Sequence, residues 1–125
     1  MKTPEQVTVA ILDDDPMVRR VVSRFLERGG VRVLPLEPTP GTAAEILEGR
    51  LEADLLLLDR NLGSLDGFQL WTELSVRQPA LARRTALLTG GLAPAGAPPE
   101  LVTLQKPTSP EALMGWVAAC SALPE

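Results

Sequence analysis

Short apolar runs alternate with amphipathic stretches along this chain, and the alternation predicts a βαβ parallel sheet. Val7 to Leu12 reads as a buried strand. Pro16 then sits where a helix can begin, with Val18, Val21, Val22, Phe25 and Leu26 forming an apolar stripe that Gly29 and Gly30 bring to an end. Val31 to Leu36 is a second strand, the Pro and Gly cluster around Thr39 a turn, and Thr42 to Leu51 a second helix capped by Thr42. Leu55 to Leu58 is apolar throughout, as expected of a central strand covered on both faces. Asp66 caps a third helix that runs to Gln78, where Pro79 stops it. Thr85 to Leu88 and Leu101 to Leu104 supply two more strands, and Ser109, Pro110 and Glu111 open a last helix reaching Leu123. The expectation is five strands and four helices. The segment after the fourth strand, GGLAPAGAPPE, is too rich in Gly and Pro for more than one helical turn.

Four of these strands run into polar residues, in ILDDDP, LLLLDRN, ALLTGG and LVTLQKP. In open α/β sheets ligands bind beyond the carboxyl ends of the strands, so Asp13, Asp14, Asp59, Thr89 and Lys106 on one rim describe a site. Close carboxylates repel by roughly 4 kcal/mol per pair at an effective dielectric of about 20, so a divalent cation is needed. Magnesium suits such a cluster, because it prefers octahedral oxygen ligands and keeps several waters beside one or two carboxylates and a phosphate.

Composition narrows the possibilities. At 125 residues, 45% apolar and 22% charged, the chain fits one soluble globular domain, and no apolar run approaches a membrane span. The opening MKTPEQVTVAIL has no signal-peptide pattern, so a cytoplasmic location is expected. The single Cys120 cannot close an intrachain disulfide, and without histidine a zinc site of Cys and His ligands is out of reach. The net charge of −4 argues against nucleic-acid binding. Arg19, Arg20, Arg24 and Arg28 then read as a solvated face. Asp15 and Asp66 are expected to cap helices, Trp71 and Trp116 to pack, and Cys120 to be a small buried residue.

In order and at these strand ends, the motifs resemble the receiver domain of two-component response regulators over essentially the whole chain. Asp13 and Asp14 look like that family's acidic pair, Asp59 like its phosphorylated aspartate, Thr89 like its switch hydroxyl, Lys106 like its invariant lysine, and Asp66 with Gly67 like its DG. The resemblance implies a flavodoxin-like, doubly wound five-stranded sheet of order 2-1-3-4-5. It implies Mg2+, or Mn2+, held directly by Asp14, Asp59 and the backbone carbonyl of Asn61, with Asp13 acting through water. It also implies that Asp59 takes a phosphoryl group from the phosphohistidine of a sensor histidine kinase or phosphotransfer protein, assisted by Thr89 and Lys106. Such a domain catalyses its own phosphorylation and dephosphorylation and does not turn over small substrates.

Three departures bear on output. Thr103 stands where the family commonly carries Tyr or Phe, so an aromatic lever is missing. The fourth helix is shortened or replaced by the Pro/Gly stretch, similar to receivers attached to hybrid histidine kinases. Gly63 replaces the family's usual proline and is expected to loosen the loop after Asp59. Gly90 leaves room for a phosphoryl group, and Gly91 leaves the attack path of water unshielded. Two other readings stay open: a phosphorylation-independent docking module that keeps the fold, and a phosphohydrolase, which Asn61 disfavours because no second carboxylate follows Asp59 by two positions.

Overall fold

In a computed structural model that describes residues 3–124, the alternation of period 2 along the central strands sorts their side chains onto two faces. Val9, Ile11, Leu55, Leu57, Ala86 and Leu88 belong to one core cluster, and Ala10, Leu12, Leu56, Leu58 and Leu87 to the other. Each face needs a cover of helices. Strands β1 (Thr8–Leu12), β2 (Arg32–Leu36), β3 (Leu55–Asp59), β6 (Thr85–Thr89) and β7 (Val102–Gln105) form a parallel sheet of order β2-β1-β3-β6-β7. Numbering only the strands of this sheet, the order is the expected 2-1-3-4-5, so the doubly wound, flavodoxin-like class is correct.

Helices α1 (Pro16–Arg28) and α5 (Pro110–Ser121) cover the first face through Val22, Leu26, Leu113, Trp116 and Val117. Helices α2 (Pro40–Leu47) and α3 (Gly67–Arg77) cover the second through Ile46, Leu47, Leu70, Trp71 and Leu74. Burying a leucine fully is worth about 1.5–3 kcal/mol, so the unbroken Leu55–Leu58 run anchors the sheet and fixes where Asp59 emerges. Both tryptophans are packing residues as expected, Trp71 also donating its indole N–H to the Ala82 carbonyl at 3.2 Å. Cys120 is buried. Among the described residues no helix is long and apolar enough to cross a membrane.

The second helix departs from its sequence reading at both ends. It begins at Pro40, because Thr39 is the extended N-cap and its hydroxyl accepts from the Thr42 N–H at 3.1 Å. It stops at Leu47, because Gly49 takes φ +76° and closes a Schellman motif, Gly49 N–H to Ile46 O at 3.2 Å and Arg50 N–H to Glu45 O at 2.9 Å. Three small elements were not foreseen: a 3-10 turn at Pro4–Gln6, the short helix α4 (Pro79–Ala82), and a two-stranded ribbon of β4 (Asn61–Leu62) and β5 (Leu65–Asp66). Pro79 both ends α3 and opens α4, since the ring fits a first helical position. The Gly/Pro segment 90–101 contains no helix, as read.

If Thr39 is the cap, Thr39→Ala should lose about 1 kcal/mol in denaturant unfolding and Thr42→Ala clearly less. Equal or reversed losses would return the cap to Thr42.

Candidate functional site

The carboxyl ends of β1, β3, β6 and β7 gather on one rim, with Asp59 and Thr89 closing β3 and β6 and Asp13 and Lys106 just beyond β1 and β7. Carboxylate oxygens of Asp13, Asp14 and Asp59 lie within 4.8 Å of one another. Lys106 reaches in from beyond β7, its Nζ donating to Asp59 Oδ2 at 2.7 Å and standing 3.6 Å from Asp13 Oδ2. Asp13 and Asp59 are buried and Asp14 is exposed, so the cluster opens to solvent on the Asp14 side.

Backbone groups hold this arrangement. Asp13 Oδ1 accepts from the Asp15 N–H at 2.9 Å, and Asp59 Oδ1 from the Asn61 N–H at 3.2 Å. Asp15 caps α1, accepting from the Met17 N–H at 2.9 Å, so the third aspartate of the run is structural as expected. Asp66 caps α3 in the same way, accepting from Phe68 and Gln69 N–H at 2.8 and 3.1 Å. Arg19, read as part of a solvated face, instead donates to the Asp13 carbonyl at 2.7 Å and ties the first turn of α1 to the end of β1. Arg20, Arg24 and Arg28 are exposed.

Gly63 corrects the expectation of a loosened loop. With φ +75° at the first central position of the two-residue turn joining β4 to β5, it allows the twist that hairpins favour, and Gly63 N–H bonds Asn61 Oδ1 at 3.2 Å. The segment after Asp59 is therefore a hydrogen-bonded ribbon. Asn61 sits at its base, paired with Asp66.

Thr89 is buried at the end of β6, next to Asp59's strand, and its hydroxyl is turned to the following loop. It donates to Leu92 O at 3.4 Å and accepts from the Gly91 N–H at 3.3 Å. Gln105, not singled out in the sequence, pairs with Thr89 across the strands and donates to Gly91 O at 3.3 Å. Only its place immediately before Lys106 could have pointed to it. Gly90 and Gly91 face open space. Thr103 is half-buried on β7.

Charge balance is unequal here, with one ammonium for three carboxylates. Burial pushes the Asp13 carboxyl up to about 6, and the charge of Asp59 adds to that, while the Asp15 N–H and Lys106 pull the other way. Burial also works against the charge on Lys106, but the hydrogen bond to Asp59 and the fields of Asp13 and Asp59 outweigh it and hold the lysine above its usual value. Asp13 Oδ2 is buried without a hydrogen-bond donor, its nearest positive group being the Lys106 ammonium at 3.6 Å. An under-satisfied buried oxygen in an all-oxygen cluster fits a small hard divalent cation.

A family model described as the response regulator receiver domain matches residues 9–90. The positive alginate biosynthesis regulatory protein of Pseudomonas aeruginosa is 35% identical over 83 residues, covering 64% of this chain and 34% of that protein. The nitrate/nitrite response regulator protein NarP of Escherichia coli is 33% identical over 87 residues, covering 70% of this chain and 39% of that protein. The chain thus spans between a third and two fifths of the length of these curated relatives. Among solved structures, a putative response regulator from Chloroflexus aurantiacus superposes with TM-score 0.75 at 24% identity, over 94% of this chain and 98% of that one. The receiver domain of the sensor histidine kinase PA1611 from Pseudomonas aeruginosa, a structure with magnesium coordinated in its active-site cleft, does so with TM-score 0.74 at 19% identity, over 93% and 98%. These two likenesses concern the fold.

The raised carboxyl gives a pH dependence. Asp13's folded value lies above its ordinary 3.8, so its contribution to stability is full below that value and is lost as pH rises through about 6. The protein is expected to melt several degrees lower at about pH 7.5 than at about pH 5. Asp13→Asn should flatten this difference; an unchanged profile in that variant would contradict this origin.

Proposed function

Because this chain belongs to the receiver-domain family of response regulators, we propose that it is a phosphorelay receiver that takes a phosphoryl group onto Asp59 from the phosphohistidine of a sensor histidine kinase or phosphotransfer protein. The observation that carries this reading is the 2.7 Å contact of Lys106 Nζ with Asp59 Oδ2 inside a cluster of three carboxylates. Residues 1–125 are read as one such domain, working in the cytoplasm on a partner or an attached domain.

Asp13, Asp14 and Asp59, with the backbone carbonyl of Asn61, would hold Mg2+, or Mn2+ in its place. When bound, the ion neutralises charge on phosphoryl oxygens. The Asp59 carboxylate attacks phosphorus, and its new O–P bond forms as the P–N bond to the donor imidazole breaks, the nitrogen leaving with the electron pair. Lys106, whose charge its acidic neighbours secure, stabilises the transferring group from beside the attacking carboxylate. Thr89 exchanges its bond to Leu92 O for one to a phosphoryl oxygen. The added charge of about −1.5 to −2 then rebalances the loops around the site. Gly91 offers no side chain against water, so the phosphoryl-aspartate is short-lived.

A groove of about 440 Å3 lined by Lys106, Pro107 and Thr108 and, along α1, by Met17, Val21 and Phe25 supports an approach of the donor from this side. Met17 is 64% and Val21 40% exposed, and Arg20 and Arg24 flank them, so a helix with an apolar stripe and acidic edges fits.

Intact mass after incubation with Mg2+ and acetyl phosphate tests the reaction. One labile phosphoryl group should appear on the wild type and none on Asp59→Asn, with a lifetime well short of hours. No addition to folded wild type would favour the phosphorylation-independent docking module instead, and a label retained in Asp59→Asn would defeat the assignment. The groove has its own test. Met17→Glu should slow transfer from a phosphorylated donor protein at least tenfold while leaving the acetyl phosphate reaction within about twofold; equal loss in both would refute it.

A further inference from the structure

Gly67, the first residue of α3, has no backbone reason to be glycine. Its φ is not in the left-handed region, and alanine is the better helix former. What excludes a side chain is contact. A Cβ added there would lie 2.1 Å from the carbonyl oxygen of Asp59, 2.9 Å from its carbonyl carbon and 3.0 Å from the Arg60 Cα. All three are backbone atoms, so no side chain can rotate out of the way. By contrast, a Cβ on Gly29 would meet Met114 at 2.5 Å, the end of a flexible chain.

The close approach is a built junction. Gly67 N–H donates to the Arg60 carbonyl at 2.8 Å, and Arg60 N–H to Leu88 O on β6 at 2.8 Å. Asp66, adjacent, caps α3 through two N–H groups and closes the ribbon opposite Asn61. The first turn of α3 thus rests directly on the peptide that carries the Asp59 side chain. That side chain in turn holds Lys106 Nζ at 2.7 Å on one oxygen and Asn61 N–H at 3.2 Å on the other.

We propose that Gly67 is a positioning residue for the phosphoryl-transfer site: the absence of a side chain lets α3 set the height of the Asp59 backbone, and with it the carboxylate's alignment with Lys106. The proposal rests on the reading of Asp59 as the phosphoacceptor. A methyl group at Gly67 forces the two backbones apart by about 1 Å, a displacement that can cost about a hundredfold in a reaction depending on near-attack geometry.

The test compares the rate of phosphorylation by acetyl phosphate with Mg2+, at saturating and at low donor, in wild type, Gly67→Ala and Gly29→Ala, each with its melting temperature. Gly67→Ala is expected to lose at least tenfold in the saturated rate with a smaller change in the donor concentration at half-saturation. Gly29→Ala, whose added Cβ meets only the flexible Met114 side chain, should stay within about twofold. Gly67→Ala that folds and reacts within twofold of wild type would overturn the proposal, as would equal rate losses in the two variants. Should Gly67→Ala fail to fold, Asp66→Ala decides: loss of both cap bonds should loosen the junction and slow the saturated rate several-fold, and an unchanged rate would overturn the proposal. Wild type that takes no phosphoryl group would instead remove the underlying reading, and this inference with it.

Discussion

The structure turns on a charge imbalance: three carboxylates converge where one ammonium can reach. Two of them are buried, so water cannot dilute their repulsion, and the field has to be met by Lys106 and by backbone N–H groups. The architecture around the strand ends serves that need. Asp13 takes the Asp15 N–H and Asp59 the Asn61 N–H, while Arg19 is spent on the Asp13 carbonyl rather than on either carboxylate. The oxygens left over gather within 4.8 Å of one another, an all-oxygen set of the kind a small hard cation takes.

Three consecutive aspartates show how position decides role. Asp13 follows a buried strand and is itself buried from water; Asp14 projects into solvent; Asp15 lies at the entrance of α1 and caps it. Their chemistry is identical in the unfolded chain. Only the pleat of β1 and the start of a helix two residues later tell them apart. On the β3 side the same division of labour recurs across a longer segment, Asp59 buried in the site and Asp66 capping α3, with a ribbon between them in place of a simple turn.

Much of this was legible before any coordinates. Apolar runs of fixed length with polar residues at their ends place strands securely, because both faces of a parallel sheet must be filled; Leu55–Leu58 is the plainest case. The convergence of Asp13, Asp14, Asp59 and Lys106 was legible for the same reason, since strand ends converge by topology. What the sequence concealed came from competition among short-range signals. Thr39 and Thr42 are both sound caps, and Pro40 decided between them by favouring the first turn. Gly49 ended α2 before Leu51 through a motif that is written in backbone angles and not in hydrophobicity. Gly63 read as the loss of a proline, yet it supplies the positive φ that a two-residue hairpin needs. The engagement of Arg19 left no mark on the pattern and that of Gln105 only its place before Lys106, as a single charged or amide residue reads as solvated until a carbonyl is found within reach.

The stretch between β6 and β7 has a mechanical meaning. A helix transmits a push along its axis because its hydrogen bonds share the load. Segment 90–101 contains two isolated turns, Ala97 N–H to Pro94 O at 3.0 Å and Leu101 N–H to Pro98 O at 3.1 Å, and is held at the site end by Thr89 and Gln105. Such a segment behaves as a tether and not as a rod. With so few bonds of its own, the segment depends for its shape on the Thr89 and Gln105 anchors, and in the proposed receiver a Thr89 hydroxyl turned to a phosphoryl oxygen would release one of them.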